Sequence, residues 1–267
     1  MSRLQDTETQ EQVDAFFRDT AAYWKTIYDS EDGQPLIYSI RQNTTLKWVE
    51  ELAPGPDFRV LDIGCGAGML SIALAARGLQ VHAIDPVEEM LGLARQGAVE
   101  AGVADRLTLG IGDIYALDAE DASFDLVIAL GVFPYLDRPE AAVREMTRVT
   151  KPGGHLIFST HNQLALIGWL DPLCNPFFRS LWLPVKSALL RRGIRISNPW
   201  PDAMARSGNP WPDMMPGNPS LIDKLLVRST LIKVRGITLG FYPFTFLSHT
   251  LLPKSLGLWL NHQLQRL

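Results

Sequence analysis

Only two cysteines, Cys65 and Cys174, occur in the 267 residues, too few for a disulfide framework or a thiolate metal cluster. No uninterrupted apolar run reaches the roughly 18 to 20 residues that a membrane-crossing helix needs. The opening residues 1–12 are polar and acid-rich, without the apolar centre of a signal peptide, so a cytoplasmic location is expected. Lysine is absent four positions after every tyrosine, which removes the Tyr-x-x-x-Lys pattern of many reductases. Acids are scarce late in the chain, and none stands between Asp171 and Asp202.

That last scarcity divides the molecule. Residues 1–171 carry 13 Lys/Arg against 26 Asp/Glu, and residues 172–267 carry 12 against 3, so a net charge of −4 conceals an acidic first part and a basic last third. Such asymmetry points to an anionic partner or surface. The basic part is also rich in Trp, Phe, Leu and Pro, which favours an amphiphilic small molecule or an anionic membrane face over nucleic acid. With 46% hydrophobic residues the chain can bury a large core, enough for one α/β domain with additions.

The chain is organised around Val60-Leu61-Asp62-Ile63-Gly64-Cys65-Gly66-Ala67-Gly68. Apolar strand residues run into a glycine turn, and Met69, Leu70, Ile72, Ala73, Leu74 and Ala76 then take helical spacing. The glycines permit a sharp turn and a close main-chain approach by a ligand, and the amides that open the helix are expected to serve as donors. A dinucleotide fingerprint requires G-x-G-x-x-G, and Met69 stands where its last glycine belongs.

Four further stretches follow in order. Val81-His82-Ala83-Ile84-Asp85 is an apolar strand ending in an acid placed to accept ribose hydroxyls. Leu107 to Ile114 contains Gly112-Asp113, Phe124 to Leu130 is a buried strand, and Lys151-Pro152-Gly153-Gly154 opens a strand through Phe158. Together with the glycine turn, these residues resemble the motifs of the class I S-adenosylmethionine-dependent methyltransferases over roughly residues 58–162. The resemblance implies S-adenosyl-L-methionine as cofactor. It assigns Asp62 to the loop and the amino-acid end, Asp85 to the ribose, Asp113 to the adenine and Leu130 to the floor beneath, and counts Gly64, Cys65, Gly66, Gly68 and Ile114 among the cofactor-binding residues. It also implies a doubly wound, mostly parallel seven-stranded sheet of 3-2-1-4-5-7-6 type.

Residues 10–29 show helical periodicity, and a second helix is expected over 36–53, ended by Pro54-Gly55-Pro56. The stretch Ala22 to Asp29, followed by Arg41, resembles the N-terminal cap of methyltransferases acting on quinone precursors and porphyrins. That likeness implies Arg41 at the cofactor carboxylate and Tyr23, Trp24 and Tyr28 at the substrate, although each ring can equally be packing. Helices over 69–77, 86–101 and 137–149 alternate with the strands, which argues for a parallel sheet covered on both faces.

At the acceptor edge lie Gly131-Val132-Phe133-Pro134-Tyr135, with Phe133 and Tyr135 as candidate pocket residues, and Ser159-Thr160-His161-Asn162. This differs from the Asn-Pro-Pro-Tyr type of sequence of adenine and glutamine-amide methyltransferases. His161 has the titration range of a general base, and Tyr135 is the other candidate catalytic group; a loop-capping role for His161 stays open. No metal site is expected. The expected organisation is a helical cap (1–54), a cofactor-binding core (55–162), substrate-side helices with a Pro/Trp-rich loop (163–230), and closing strand and helix (231–267). The 163–230 segment includes the near-repeat Asn198-Pro199-Trp200-Pro201-Asp202 and Asn209-Pro210-Trp211-Pro212-Asp213. Leu231 to Ile237 reads as a late strand and Phe241 to Phe246 as strand or pocket wall.

The reading is a methyltransferase of a small, apolar or amphiphilic anionic molecule, acting at oxygen or carbon. A nicotinamide-dependent reductase is opposed by Met69 and the missing Tyr-x-x-x-Lys. A non-catalytic binding module and an RNA methyltransferase using the basic third remain as alternatives.

Overall fold

The computed structural model describes residues 11, 13–21, 24, 33–159, 245–246 and 249–250. Within them a helical segment, residues 13–19, precedes α1 (Gly33–Glu51). The core then alternates as β1 (Arg59–Ile63), α2 (Met69–Ala75), β2 (Gln80–Asp85), α3 (Glu88–Glu100), β3 (Leu107–Ile111), β4 (Phe124–Ala129), a 3-10 turn (Phe133–Tyr135), α4 (Pro139–Val149) and β5 (Thr150–Phe158). The five strands form one parallel sheet in the order β3-β2-β1-β4-β5.

That order agrees with the first five places of the expected seven-stranded sheet. The pair β6 (Thr245–Phe246) and β7 (His249–Thr250) is antiparallel and forms a separate two-stranded sheet. The expected strand over Leu231 to Ile237, the segment 163–230 and the NPWPD near-repeat lie outside the described residues.

Alternation along the strands divides the core between two faces. Val60, Val81, Ala83, Leu126, Ile128 and Ile157 pack with Leu46 and Val49 of α1, Leu70 and Leu74 of α2, and Ala98 of α3. Their neighbours Leu61, Ile63, Ile84, Val127 and Ala129 point the other way, onto Ala142, Val143 and Met146 of α4 and onto Ile114, Leu117 and Phe133. Strands buried on both faces read as continuous apolar runs, and these do.

The boundaries have local causes. α2 ends at Ala75 rather than the expected residue 77 because Gly78, at φ +89°, takes the left-handed turn and the amides of Gly78 and Leu79 close onto Ala75 and Leu74. β3 ends at Ile111, where Gly112 donates to the Asp85 carbonyl and Asp113 begins a turn closed onto Ala116. In β5, Leu126 pairs with His155 although Phe124 pairs with Thr150, so Lys151 to Gly154 bulge out of the ladder.

Candidate functional site

β1 pairs with β2 on one side and β4 on the other. The helix after β1 covers one face and the helix after β4 covers the opposite face. The carboxyl ends of β1 and β4 therefore flank the point where the winding reverses, the place at which doubly wound sheets leave a ligand crevice.

The glycine loop sits at that point. Gly64, Gly66 and Gly68 all have positive φ, at 66°, 55° and 77°. Two of them also answer to packing: a Cβ on Gly64 would stand 2.5 Å from Val132 Cγ2, and one on Gly68 would stand 2.7 Å from Ala94 Cβ. At Gly66 nothing lies within 4 Å, so the main chain there is open to a ligand. The amides of the turn itself are engaged within the protein. Gly64 and Cys65 donate to the Ile84 carbonyl at 2.8 and 3.1 Å, Gly68 to Cys65, and Gly66 to the Asp85 carboxylate at 2.8 Å. Closure of the turn onto β2 thus engages the amides of Gly64, Cys65 and Gly66.

Asp62 and Asp85 are 3% and 7% exposed. Burial, reinforced by the charge of Asp85, pushes Asp62 up to about 7, although Ser71 Oγ donates to it at 2.5 Å and Arg41 favours its charged form. Asp85 is raised to about 6, chiefly by burial and also by Asp14, against the amides of Val87 and Gly66. Cys65 is partly buried, and desolvation together with both acids raises its thiol well above the ordinary range, which removes it as a nucleophile. Asp113 stands exposed just beyond β3, one carboxylate oxygen accepting from the Tyr115 amide at 2.9 Å.

The helical segment 13–19 and residues following it cross this edge of the sheet. Ala21 packs with Val87 and Met90 at the start of α3, and Arg18 pairs with Glu89 at 3.5 Å. Phe17 meets Tyr135 edge-on at 5.3 Å, and Trp24 meets Tyr38 of α1 at 5.5 Å. Arg41 lies 5.1 Å over the Tyr38 ring. It also abuts Gly131, where a Cβ would come within 2.9 Å of Nη1, so a glycine at positive φ lets the guanidinium cross the main chain.

Arg41, Asp62, Asp85 and Tyr135 thus gather at one edge, with Trp24 reaching it through Phe17 and Tyr38. Two expected site residues are more interior than supposed. Phe133 is 6% exposed and stacks on Phe158 at 4.5 Å, so it is a core residue rather than an open pocket wall. Ile114 is 7% exposed in the same apolar cluster, and Leu130 packs partly buried on the opposite face. Tyr23, Tyr28 and His161 lie outside the described residues. Burial and the nearby Tyr38 raise the Tyr135 hydroxyl, so it stays protonated at neutral pH.

Sequence reasoning passed over Ser71, Tyr38 and Phe17, and put Ser159 at the acceptor edge without giving it a part; its Oγ accepts from the Gly131 amide at 2.7 Å. Ser71 left a visible signal, a polar residue on the buried face of α2 beside Leu70, Leu74 and Ala75. Tyr38 and Phe17 left none, because their roles arise from contacts between distant elements.

The methyltransferase domain family matches residues 61–158. The ubiquinone biosynthesis O-methyltransferase of Xylella fastidiosa is 31% identical over 173 residues, covering 62% of this chain and 68% of that protein. This chain belongs to the class I S-adenosylmethionine-dependent methyltransferases. The enzyme of the same name from Paracidovorax citrulli is 36% identical over 129 residues, 46% of this chain and 54% of its own length. The one from Hahella chejuensis is 36% identical over 148 residues, with 60% of its length spanned. The match thus spans little more than half of these two relatives. The solved magnesium protoporphyrin IX methyltransferase of Synechocystis, with bound SAH, superposes at TM-score 0.58 with 21% identity, over 81% of this chain and 87% of that one, a likeness of fold. Within this chain the family match ends at Phe158, the last residue of β5.

Proposed function

We propose that the protein transfers the methyl group of S-adenosyl-L-methionine to a hydroxyl oxygen of a small amphiphilic, anionic molecule of the quinone-precursor type. The observation that carries this reading is the gathering of Asp62, the open Gly66 main chain, Asp85 and Arg41 at the switch point of the sheet. The O-methyltransferase relatives support oxygen as the atom attacked.

The residues suit the cofactor. A Cβ-free, uncrowded main chain at Gly66 admits a nucleoside, and two buried acids, Asp62 and Asp85, suit ribose hydroxyls and an ammonium group. In this reading Asp85 takes the ribose, Asp113 and Ile114 border the adenine, Asp62 and Cys65 lie by the amino-acid end, and Arg41 meets its carboxylate. The bound cofactor supplies an electrophilic methyl on a sulfonium. The chain aligns the acceptor with it and excludes water, a task of positioning that needs no covalent nucleophile or metal. Tyr135, held protonated at the acceptor edge, orients an acceptor oxygen by donating to it. Removal of a phenolic proton falls to another group, with His161 the candidate base.

The same reading takes residues 1–54 as a cap, 163–230 as the substrate side, and 231–267 as strand and helix closing the same domain. It places the protein in the cytoplasm, in peripheral contact with anionic membrane through its basic third; no helix among the described residues is long and apolar enough to cross one. Isothermal titration tests the core claim. Binding of S-adenosylmethionine without binding of NADH is expected, with Asp85→Ala losing most of the affinity. Incubation with extracted metabolites then identifies the acceptor by mass, as a product heavier by one CH2. Binding of NADH in place of S-adenosylmethionine would remove the reading.

A further inference from the structure

The three glycines of the loop are not held alike. Gly64 is fixed by contact with Val132 and by its amide on Ile84, and Gly68 by contact with Ala94 and by its amide on Cys65. Gly66, at the tip, has open space where a side chain would be and a φ of +55°. Its amide donates at 2.8 Å to Asp85 Oδ2, and the other oxygen of the same carboxylate, Oδ1, accepts from the Val87 amide at 3.0 Å. One buried carboxylate therefore bridges the tip of the glycine loop to the turn that opens α3. Glycine has the largest backbone entropy to lose, so a loop with three of them at positive φ keeps one shape only where something pins it.

We propose that Asp85 is a positioning residue for the glycine loop, holding Gly66 in its ligand-ready conformation before any ligand arrives, in addition to the ribose contact assigned above. The two functions are compatible. An ionised carboxylate has about four lone-pair sites, and the two amides use two of them. Asp85 thus preorganises the site as well as touching its occupant, and part of its contribution to affinity is independent of the ribose hydroxyls. The inference rests on the proposed cofactor only for its binding arm.

Two measurements on the full chain separate this from a ribose contact alone. The first is amide hydrogen exchange on the ligand-free protein. Asp85→Ala is expected to speed exchange at Gly66 and Val87 at least tenfold and to leave the β1 and β4 amides at the wild-type rate. Asp85→Asn, which keeps the shape and one acceptor oxygen, is expected to speed one of the two and serves if the alanine variant fails to fold. The second is titration with S-adenosylhomocysteine and with its 2′,3′-dideoxy analogue, which has no hydroxyls to offer the acid. The variants are expected to bind the analogue at least tenfold more weakly than wild type does. Wild-type exchange at Gly66 in both variants, or equal affinity of wild type and variants for the analogue, would overturn the proposal. Failure of the wild type to bind either nucleoside would instead count against the cofactor reading, while the exchange experiment still decides the clamp.

Discussion

Three glycines of the same type in one loop have different duties, and substitution by alanine separates them. A left-handed backbone costs a non-glycine residue roughly 1–2 kcal/mol wherever it occurs. Gly64→Ala adds a collision with Val132 and Gly68→Ala one with Ala94, so both are expected to lower stability by more than that in urea titration. Gly66→Ala meets no protein atom and is expected to stay near the conformational cost, yet to lose most affinity for S-adenosylhomocysteine because its methyl projects into the space proposed for the ligand. Equal stability losses at all three positions would contradict this division. The buried acids make a second residue-level prediction. Asp62, raised from an ordinary 3.8 to about 7, binds a proton more tightly folded than unfolded, so its favourable contribution is complete below about pH 4 and is lost as pH rises through 7. Each pKa unit is worth about 1.4 kcal/mol, and Asp62→Asn should therefore lessen the fall in stability of the ligand-free protein between pH 5 and 8. Arg41, Asp85 and Ser71 also face this carboxylate, and the amide oxygen of asparagine can still accept from Ser71. Parallel stability profiles of wild type and variant would refute the assignment.

At the level of elements, the core was legible because β1, β2 and β4 are buried on both faces and so appear as apolar runs closed by Gly64, Asp85 or Gly131. What the sequence concealed were the contacts that position the site, since Phe17 on Tyr135 and Arg41 on Gly131 join residues far apart in the chain. Phe133 was misplaced for a related reason: an aromatic residue at a strand end looks the same whether it faces a ligand or stacks on Phe158. The Lys-Pro-Gly-Gly stretch, readable only as a turn, proves to be a bulge within β5. There Lys151 Nζ meets both Asp125 carboxylate oxygens at 2.9 and 2.8 Å. A Cβ on Gly154 would come within 2.9 Å of the Asp125 and Lys151 carbonyls. Partly exposed ion pairs contribute about 0–1 kcal/mol, whereas backbone displaced by overpacking costs typically 1–3 kcal/mol. Gly154→Ala is therefore expected to destabilise more than Lys151→Ala in thermal unfolding, and the reverse order would show that the ion pair rather than the close approach fixes the bulge.

Over the whole molecule, charge and composition follow the order of the chain. The acidic first part contains the sheet and its buried carboxylates, and the last third holds 12 basic residues against 3 acids among abundant aromatic and aliphatic side chains. An amphiphilic acceptor of the kind proposed partitions into membranes, so an enzyme reaching it gains from residence at an anionic surface. Each basic residue near such a surface contributes about 1 kcal/mol, and the attraction decays over a Debye length of about 8 Å at physiological salt. Sedimentation with vesicles of phosphatidylcholine and phosphatidylglycerol should therefore show binding that rises with the anionic fraction and weakens steeply as salt is added. Charge reversal of Arg191, Arg192 and Arg195 together should reduce it while leaving S-adenosylhomocysteine affinity unchanged, since the residues assigned to the nucleoside all lie before position 131. Binding to neutral and anionic vesicles alike would assign the apolar side chains alone to the surface. Salt-sensitive binding to RNA without vesicle binding would assign the basic third to nucleic acid.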